Sequence, residues 1–364
     1  MVLFGQEIYI NPAKGRKFNV DDFAGLLARY EADVKVQYMH LNSDLQYCVT
    51  VTRAKLKDAF VSWSTLENFI DGMTQSLYNG AYIDEFALTK ELVSSAYASN
   101  QVDIETVTLP NTADLADTFI TKCRQLYLDM QAPSSKHNAW AKVGGYGRDI
   151  ITWTNPEDIV LLLRNDVASF VDVKSLARAF NLDYAKFLAS NVIYVDNFDQ
   201  YDSEGTKVFD GSNIIGCIGD KSWFRIKEQE ITMDEFYNAN NRTWQYYLNV
   251  VKMYQYSLFS NMVVLATAQP QVSMTAFELS EDEVEVEAGE TAKVKITTTP
   301  FQANYPTITV SSSASAVATA SISGKEITIT GVASGQSADG TATITVTAGN
   351  LSDTISVTVP YHAS

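Results

Sequence analysis

Asn240–Thr267 reads NNRTWQYYLNVVKMYQYSLFSNMVVLAT, and the fold turns on whether it is strand or helix. From Trp244 to Leu258 the even positions are apolar or aromatic at all but Lys252. The odd positions mix Gln245, Asn249, Gln255 and Ser257 with Tyr247, Val251 and Met253. That is the alternation of a strand with one buried face. A helical template through Trp244, Leu248, Val251, Tyr254 and Leu258 fits as well, so spacing leaves both open. The density of Tyr, Val and Trp tips the reading to strand. A strand of about fifteen residues far exceeds the usual ~5–6 and suits a protein built to reach its neighbours.

Upstream, strands and helices are mixed without a βαβ alternation, which points to α+β. Val34–Val61 carries two strand-like runs, VKVQYMHL and LQYCVTVT, joined by Asn42-Ser43-Asp44, and reads as a hairpin. Ser64-Thr65 before Glu67 opens a helix. Its stripe is Leu66, Phe69, Ile70, Met73 and Leu77, continued by Ile83, Phe86, Val93 and Tyr97. One helix of about 30 residues, with Gly80 as a kink point, explains the run. VDIETVTL (102–109) is a strand, and Asn111-Thr112 caps a helix with the stripe Leu115, Phe119, Cys123, Leu126 and Met130. ITWT and DIVLLLR around Asn155-Pro156, then VIYV, IIGCIG and SWFRI, are further strands, and Val173–Phe180 is a short helix. The first 33 residues form an arm, with a short helical pattern over Val20–Tyr30 and a basic cluster, Lys14-Gly15-Arg16-Lys17, that is either a solvated turn or a phosphate contact.

After Pro270 the character changes. Residues 271–364 hold no Trp and no Cys, are rich in Thr, Ser, Val and Ala, and read as seven or eight short strands with turns at Ala288-Gly289, Ser323-Gly324 and Gly349-Asn350. Such spacing indicates a β-sandwich. Ten acidic and three basic residues give this part −7 of the chain's net −16. Glu281, Glu283, Glu285 and Glu287 share one face, either a calcium site or a solvated strand face.

At 364 residues, 46% hydrophobic and 11% aromatic, the chain suits two or three packed domains. Cys48, Cys123 and Cys217 are far apart and read as small buried hydrophobes in a reducing compartment. MVLFGQEIYINPAKGRKF lacks a basic leader followed by an apolar run, so no signal peptide is expected. No window approaches the ~18 apolar residues of a membrane span. A net charge of −16 argues against nucleic-acid affinity as the main activity. His40, His137 and His362 have no nucleophile or HExxH-type spacing around them, Gly144-Gly145-Tyr146-Gly147 is not a dinucleotide fingerprint, and no phosphate-binding loop occurs. Carboxylate pairs such as Asp21/Asp22 and Glu157/Asp158 suit capping. The expectation is architecture rather than catalysis, with no cofactor and no metal.

Two resemblances follow. VEVEAGETAKVKITTTP, SSSASAVATASISGKEITITGVASG and GTATITVTAGNLSDTISVTV, within Leu279–Val359, resemble the group 2 bacterial immunoglobulin-like domain, with Val310 where the family often has an aromatic. NPEDIVLLLRNDVASFVDVKSLARAFN (Asn155–Asn181), IIGCIGDKSWFRI and YSLFSNMVVLA, in that order, are similar to the major capsid proteins of small short-tailed phages, which share the Hong Kong 97 capsid fold.

The resemblance implies an N-terminal arm (1–33), an extended hairpin (34–61), a body of spine helix, peripheral and axial domains (62–270), and an immunoglobulin-like sandwich (271–364). It implies a non-enzymatic shell protein assembling as pentamers and hexamers, with a scaffolding protein, a portal and packaged double-stranded DNA as partners. Assembly would take place in the bacterial host cytoplasm. The sandwich would project outside, where a host surface glycan is one possible ligand. Lys14, Arg16 and Lys17 would face the lumen or a neighbouring subunit, and Trp244, Tyr246, Leu248 and Val250 would pack towards the spine helix. Two other readings are a protein-storage compartment of the same fold and a cell-surface adhesin; the adhesin predicts a secretion signal and repeated sandwich units.

Overall fold

The computed structural model describes residues 3–13, 31–59, 63–140, 150–169, 192–202, 204–332 and 338–361. By contact the chain divides into two units. The first comprises Met1–Tyr97, Val102–Ala139 and Arg148–Ala268, and the second is built mainly from Gln269–Ser364 together with Ala98–Gln101.

The first unit contains β1 (Leu3–Ile10), β2 (Val34–His40), β3 (Ser43–Thr52), α1 (Arg53–Ala59), α2 (Trp63–Ala98), β4 (Asp103–Thr106), α3 (Ala113–Asp129), β5 (Ile159–Arg164), β6 (Val192–Val195), β7 (Gln200–Tyr201), β8 (Lys207–Phe209), β9 (Ile214–Asp220), β10 (Phe224–Asn238), β11 (Thr243–Tyr256) and β12 (Met262–Ala266). A five-stranded sheet ordered β4-β12-β9-β5-β6 holds its main core. β12 pairs parallel to β4 and antiparallel to β9; β5 pairs antiparallel to β9 and parallel to β6.

β12 (MVVLA) is buried along its whole length, which is why it reads as a continuous apolar run. Its alternate residues serve two layers. Val263 and Leu265 join Leu161, Leu163 and Ile215 against the α3 stripe of Phe119, Cys123, Leu126 and Met130. Met262, Val264 and Ala266 join Val160, Leu162 and Cys217 against Leu92, Val93, Ala96 and Tyr97 at the end of α2. Each fully buried Val, Leu or Ile contributes about 1.5–3 kcal/mol. At Gly216 a Cβ would lie 2.3 Å from the Leu162 carbonyl oxygen, so β9 and β5 approach each other this closely only with glycine there. Thr112 caps α3, accepting from Leu115 N at 3.4 Å.

The quoted stretch is strand: β11 is the middle of a second sheet, β10-β11-β3. α2 runs unbroken through Gly80 and belongs to both cores, its later turns under the five-stranded sheet and its middle, Leu77, Tyr78 and Ala81, under β11. Gly80 serves proximity rather than a kink, because a Cβ there would stand 3.2 Å from the Tyr47 ring.

Several sequence expectations are corrected. Val34–His40 and Ser43–Thr52 do not pair as a hairpin. β2 pairs antiparallel with β1, Ile10 opposite Val34 and Ile8 opposite Val36, while β3 pairs with β11. Asn42 does not make the expected turn; its side chain imitates a strand partner, donating to Tyr254 O at 2.7 Å and accepting from Tyr254 N at 2.9 Å. Arg53–Ala59, counted with the hairpin, is helix. The run ITWT (151–154) is not a strand, keeping only one isolated bridge, Ser134–Thr152. The strand expected at SWFRI begins only at Phe224, after a short 3-10 turn over Lys221–Trp223, and runs on for 15 residues. Cys48 is exposed, whereas Cys123 and Cys217 are buried. The expected helices at Val20–Tyr30 and Val173–Phe180 and the Gly144–Gly147 cluster lie outside the described residues.

The second unit is a sandwich of two four-stranded sheets. β13 (Ala276–Leu279), β15 (Thr291–Thr299), β18 (Glu326–Gly331) and β17 (Ala318–Ser323) lie in that order in one sheet. β14 (Glu283–Glu285), β20 (Leu351–Val359), β19 (Gly340–Ala348) and β16 (Thr309–Ser312) form the other. Val294, Ile296, Ile327, Ile329, Ile344, Val346, Ile355 and Val357 meet between the sheets.

Candidate assembly surfaces

The side chains on β11 that face α2 are the first candidates. Leu248 and Val250 form a buried cluster with Leu77, and Tyr246 packs on its margin with Tyr47, Val49, Tyr78 and Ala81. Trp244 stands farther out along the same face, its ring against Tyr237 of β10 with centroids 4.7 Å apart. Lys252, the polar exception in the even series, is only 12% exposed and reaches α2, its Nζ 2.8 Å from Glu85 Oε2. Beside it Tyr47 donates to Asp84 Oδ2 at 2.8 Å. Burial, that hydrogen bond and the neighbouring carboxylates push the Tyr47 phenol well above its ordinary value. Burial, with the charges of Glu85 and Asp84, pushes Tyr254 up to about 12. A sequence pattern marks Lys252 as odd but not its partner, which lies 167 residues away.

The β1–β2 ribbon meets the rest of this unit through the Tyr9 ring, 5.8 Å from that of Phe259, and through polar side chains. Glu7 pairs with Arg225, and the Tyr9 hydroxyl donates to the Ile151 carbonyl. Gln37 donates to Tyr256 O at 2.8 Å and accepts from Leu258 N at 2.9 Å. Ile8, Ile10, Val34 and Tyr38 on the other face of the ribbon are exposed.

Exposed apolar side chains also occur on α2 and β10. On α2, Ile83 is 69% and Phe86 46% exposed, with Ile70 and Tyr82 also outward. Ile83 and Phe86 continue the helical stripe read from the sequence, but among its residues with described side chains only Met73, Leu77, Val93 and Tyr97 are buried. On β10, Met233, Phe236 and Tyr237 are exposed. The exposed apolar side chains on β1–β2, α2 and β10 are candidate sites of protein contact. Lys14, Arg16 and Lys17 lie outside the described residues.

Two of the three cysteines and one histidine serve the packing of this unit. Burial pushes the Cys123 and Cys217 thiols up to about 12, away from thiolate chemistry. His137 Nδ1 lies 3.0 Å from Asp103 Oδ2, and its main-chain oxygen accepts from Met262 N, tying a loop to β4 and β12. Among the described residues no group of three or more His, Cys, Asp or Glu is placed to hold a metal ion. None of the described helices is long and apolar enough to cross a membrane.

Residues 4–266 match the model of the Phi29-like phage major capsid protein family, and residues 273–359 match that of the bacterial Ig-like domain, group 2. The chain is 28% identical over 300 residues to a major capsid protein of Bacillus phage B103, covering 80% of this chain and 62% of that protein. It is 27% identical over 233 residues to the major capsid protein of Bacillus phage GA-1, covering 64% of this chain and 46% of that one. The chain thus spans about half to two thirds of these relatives' length. Among solved structures, the capsid of Staphylococcus phage Andhra aligns over 72% of this chain and 80% of its own, with TM-score 0.58 and 15% identity. A chain in the structure of the head fiber and inner core protein of native bacteriophage P68 aligns over 74% of this chain and 82% of its own, with TM-score 0.51 and 13% identity. At such identities these two matches speak to the fold alone, which is that of a phage capsid protein.

Proposed function

This chain belongs to the Phi29-like phage major capsid protein family, and from that premise we propose that it is the repeating subunit of an icosahedral shell enclosing packaged double-stranded DNA. The observation that carries the reading is the set of large apolar side chains on β1–β2, α2 and β10 left exposed on a unit that has buried cores of its own. A shell subunit needs such faces for its neighbours and needs no active site. The net charge of −16 supports the DNA part, since an acidic wall repels the polymer and lets it pack without sticking.

Shell assembly takes place in the host cytoplasm on a scaffolding protein and around a portal, as the resemblance implies. The immunoglobulin-like unit projects outside, either to reinforce the particle or to hold host surface carbohydrate. Lys14, Arg16 and Lys17 face the lumen or a neighbour; neutralising all three is expected to lower particle yield or DNA retention, and normal full particles would remove that role. Deleting residues 271–364 is expected to change particle stability or adsorption to cells, and no change in either would leave the sandwich with neither job.

The test of the central reading is electron microscopy of native particles with a nucleic-acid assay of their contents. Closed shells of this chain holding double-stranded DNA are expected. Shells loaded with protein and free of DNA would favour the storage-compartment reading, and absence of the chain from any shell would end both.

A further inference from the structure

The β10-β11-β3 sheet carries opposite charge in two places. At its far end β3 runs directly into α1, and Arg53 N donates to Arg242 O at 3.2 Å, holding the helix against the β10–β11 turn. Arg53, Lys55, Lys57 and Arg242 are gathered there, all exposed, with Asp58 the only acid on α1. Arg242 sits in the left-handed region, φ 51°, so the turn fixes its place at the tip. Along the sheet's open edge runs β10, with Glu228, Glu230, Asp234 and Glu235 exposed. The edge keeps an acidic balance: Lys227 is the one exposed cation on β10, Asp234 is held by the neutral Asn249 amide at 2.8 Å, and Lys252 pairs with Glu228 at 3.8 Å but lies closer to Glu85, at 2.8 Å. Met233 and Phe236 stand exposed among the acids, and the outer side of an edge strand also presents unpaired backbone groups.

We propose that the basic tip formed by α1 and Arg242 of one subunit docks on the acidic, Met- and Phe-bearing edge of β10 in a second copy of this chain. The inference rests on the shell reading and names one of its contacts. Tip and edge are different patches, so the contact is heterologous: every copy offers both halves and the pairing propagates into rings, as a shell requires. The apolar side chains between the acids supply area that excludes water, and the charges set partner and register.

The test is a charge swap in the full chain. Lys55→Glu with Lys57→Glu, and separately Glu230→Lys with Glu235→Lys, are each expected to lower the yield of sedimenting particles by roughly tenfold or more at low salt. Combining all four is expected to restore most of the yield. The substituted side chains are exposed, so circular dichroism and thermal unfolding of the dissociated chain should stay at wild-type values. Wild-type particles together with indifferent reversals, or with a combined variant that does not recover, would overturn this inference alone. Absence of wild-type particles would overturn the shell reading and this contact with it.

Discussion

On α2 the outward positions Tyr82, Ile83 and Phe86 are apolar, whereas on β19 and β20 the outward positions are Thr341, Thr343 and Thr345 beside Ser352, Thr354 and Ser356. Both units close a core, but they treat their surfaces oppositely. The sandwich alternates strictly: Ile344, Val346, Ile355 and Val357 point in and hydroxyls point out, so its core lies between its own two sheets. The larger unit distributes its long elements over two cores and keeps apolar faces in reserve. A surface of threonines suits a module that stands alone; a surface with Ile83 and Phe86 suits a part of something larger.

The comparison is broken most strongly through the cores. Leu248→Ala removes a fully buried side chain where β11 meets α2, and Ile344→Ala does so inside the sandwich. Each is expected to cost about 2–5 kcal/mol. Calorimetry of the dissociated chain should show the first lowering only the transition of the larger unit and the second only that of the sandwich. A common shift would mean that the two units unfold as one.

A smaller effect probes the helix–sheet joint. Lys252→Ala leaves Glu85 without its partner beside Asp84 and is expected to cost about 1–3 kcal/mol in denaturant unfolding of the larger unit. Adding Glu85→Leu should recover most of that loss, because the orphaned charge is then gone.

The smallest effect concerns pH. Burial works against the Asp199 carboxylate, but the Lys207 ammonium at 2.8 Å and the Gly211 amide at 2.8 Å outweigh it and hold its pKa below the ordinary value. A depressed folded pKa means stability that is present above the unfolded value near ~3.9 and is lost as pH falls through the folded one. Asp199→Asn should therefore lower stability near neutrality by less than about 1 kcal/mol and flatten its acid dependence. An unchanged pH profile of unfolding would contradict the assignment.

How much was legible depended on where each residue's partner lies. β11, α2, α3 and the sandwich strands carry their periodicity internally, and the sequence reading finds them. The pairing of β1 with β2 is not visible, because Asn42 uses a turn-forming side chain to extend a sheet. The later half of β10 hides for the opposite reason: with both faces exposed it shows no alternation. Ile83 and Phe86 follow helical spacing as well as Leu77 and Val93 do. Periodicity says that a position is apolar, not whether its cover comes from the same chain or the next one.

Hydroxyl-radical footprinting of assembled particles against dissociated chain tests that last point most directly. Tyr82, Ile83 and Phe86 on α2, with Met233 and Phe236 on β10, are expected to lose most of their reactivity on assembly, while Tyr305, an exposed aromatic of the sandwich unit, keeps its own. Unchanged reactivity at the α2 and β10 residues, or protection confined to the sandwich, would contradict the account.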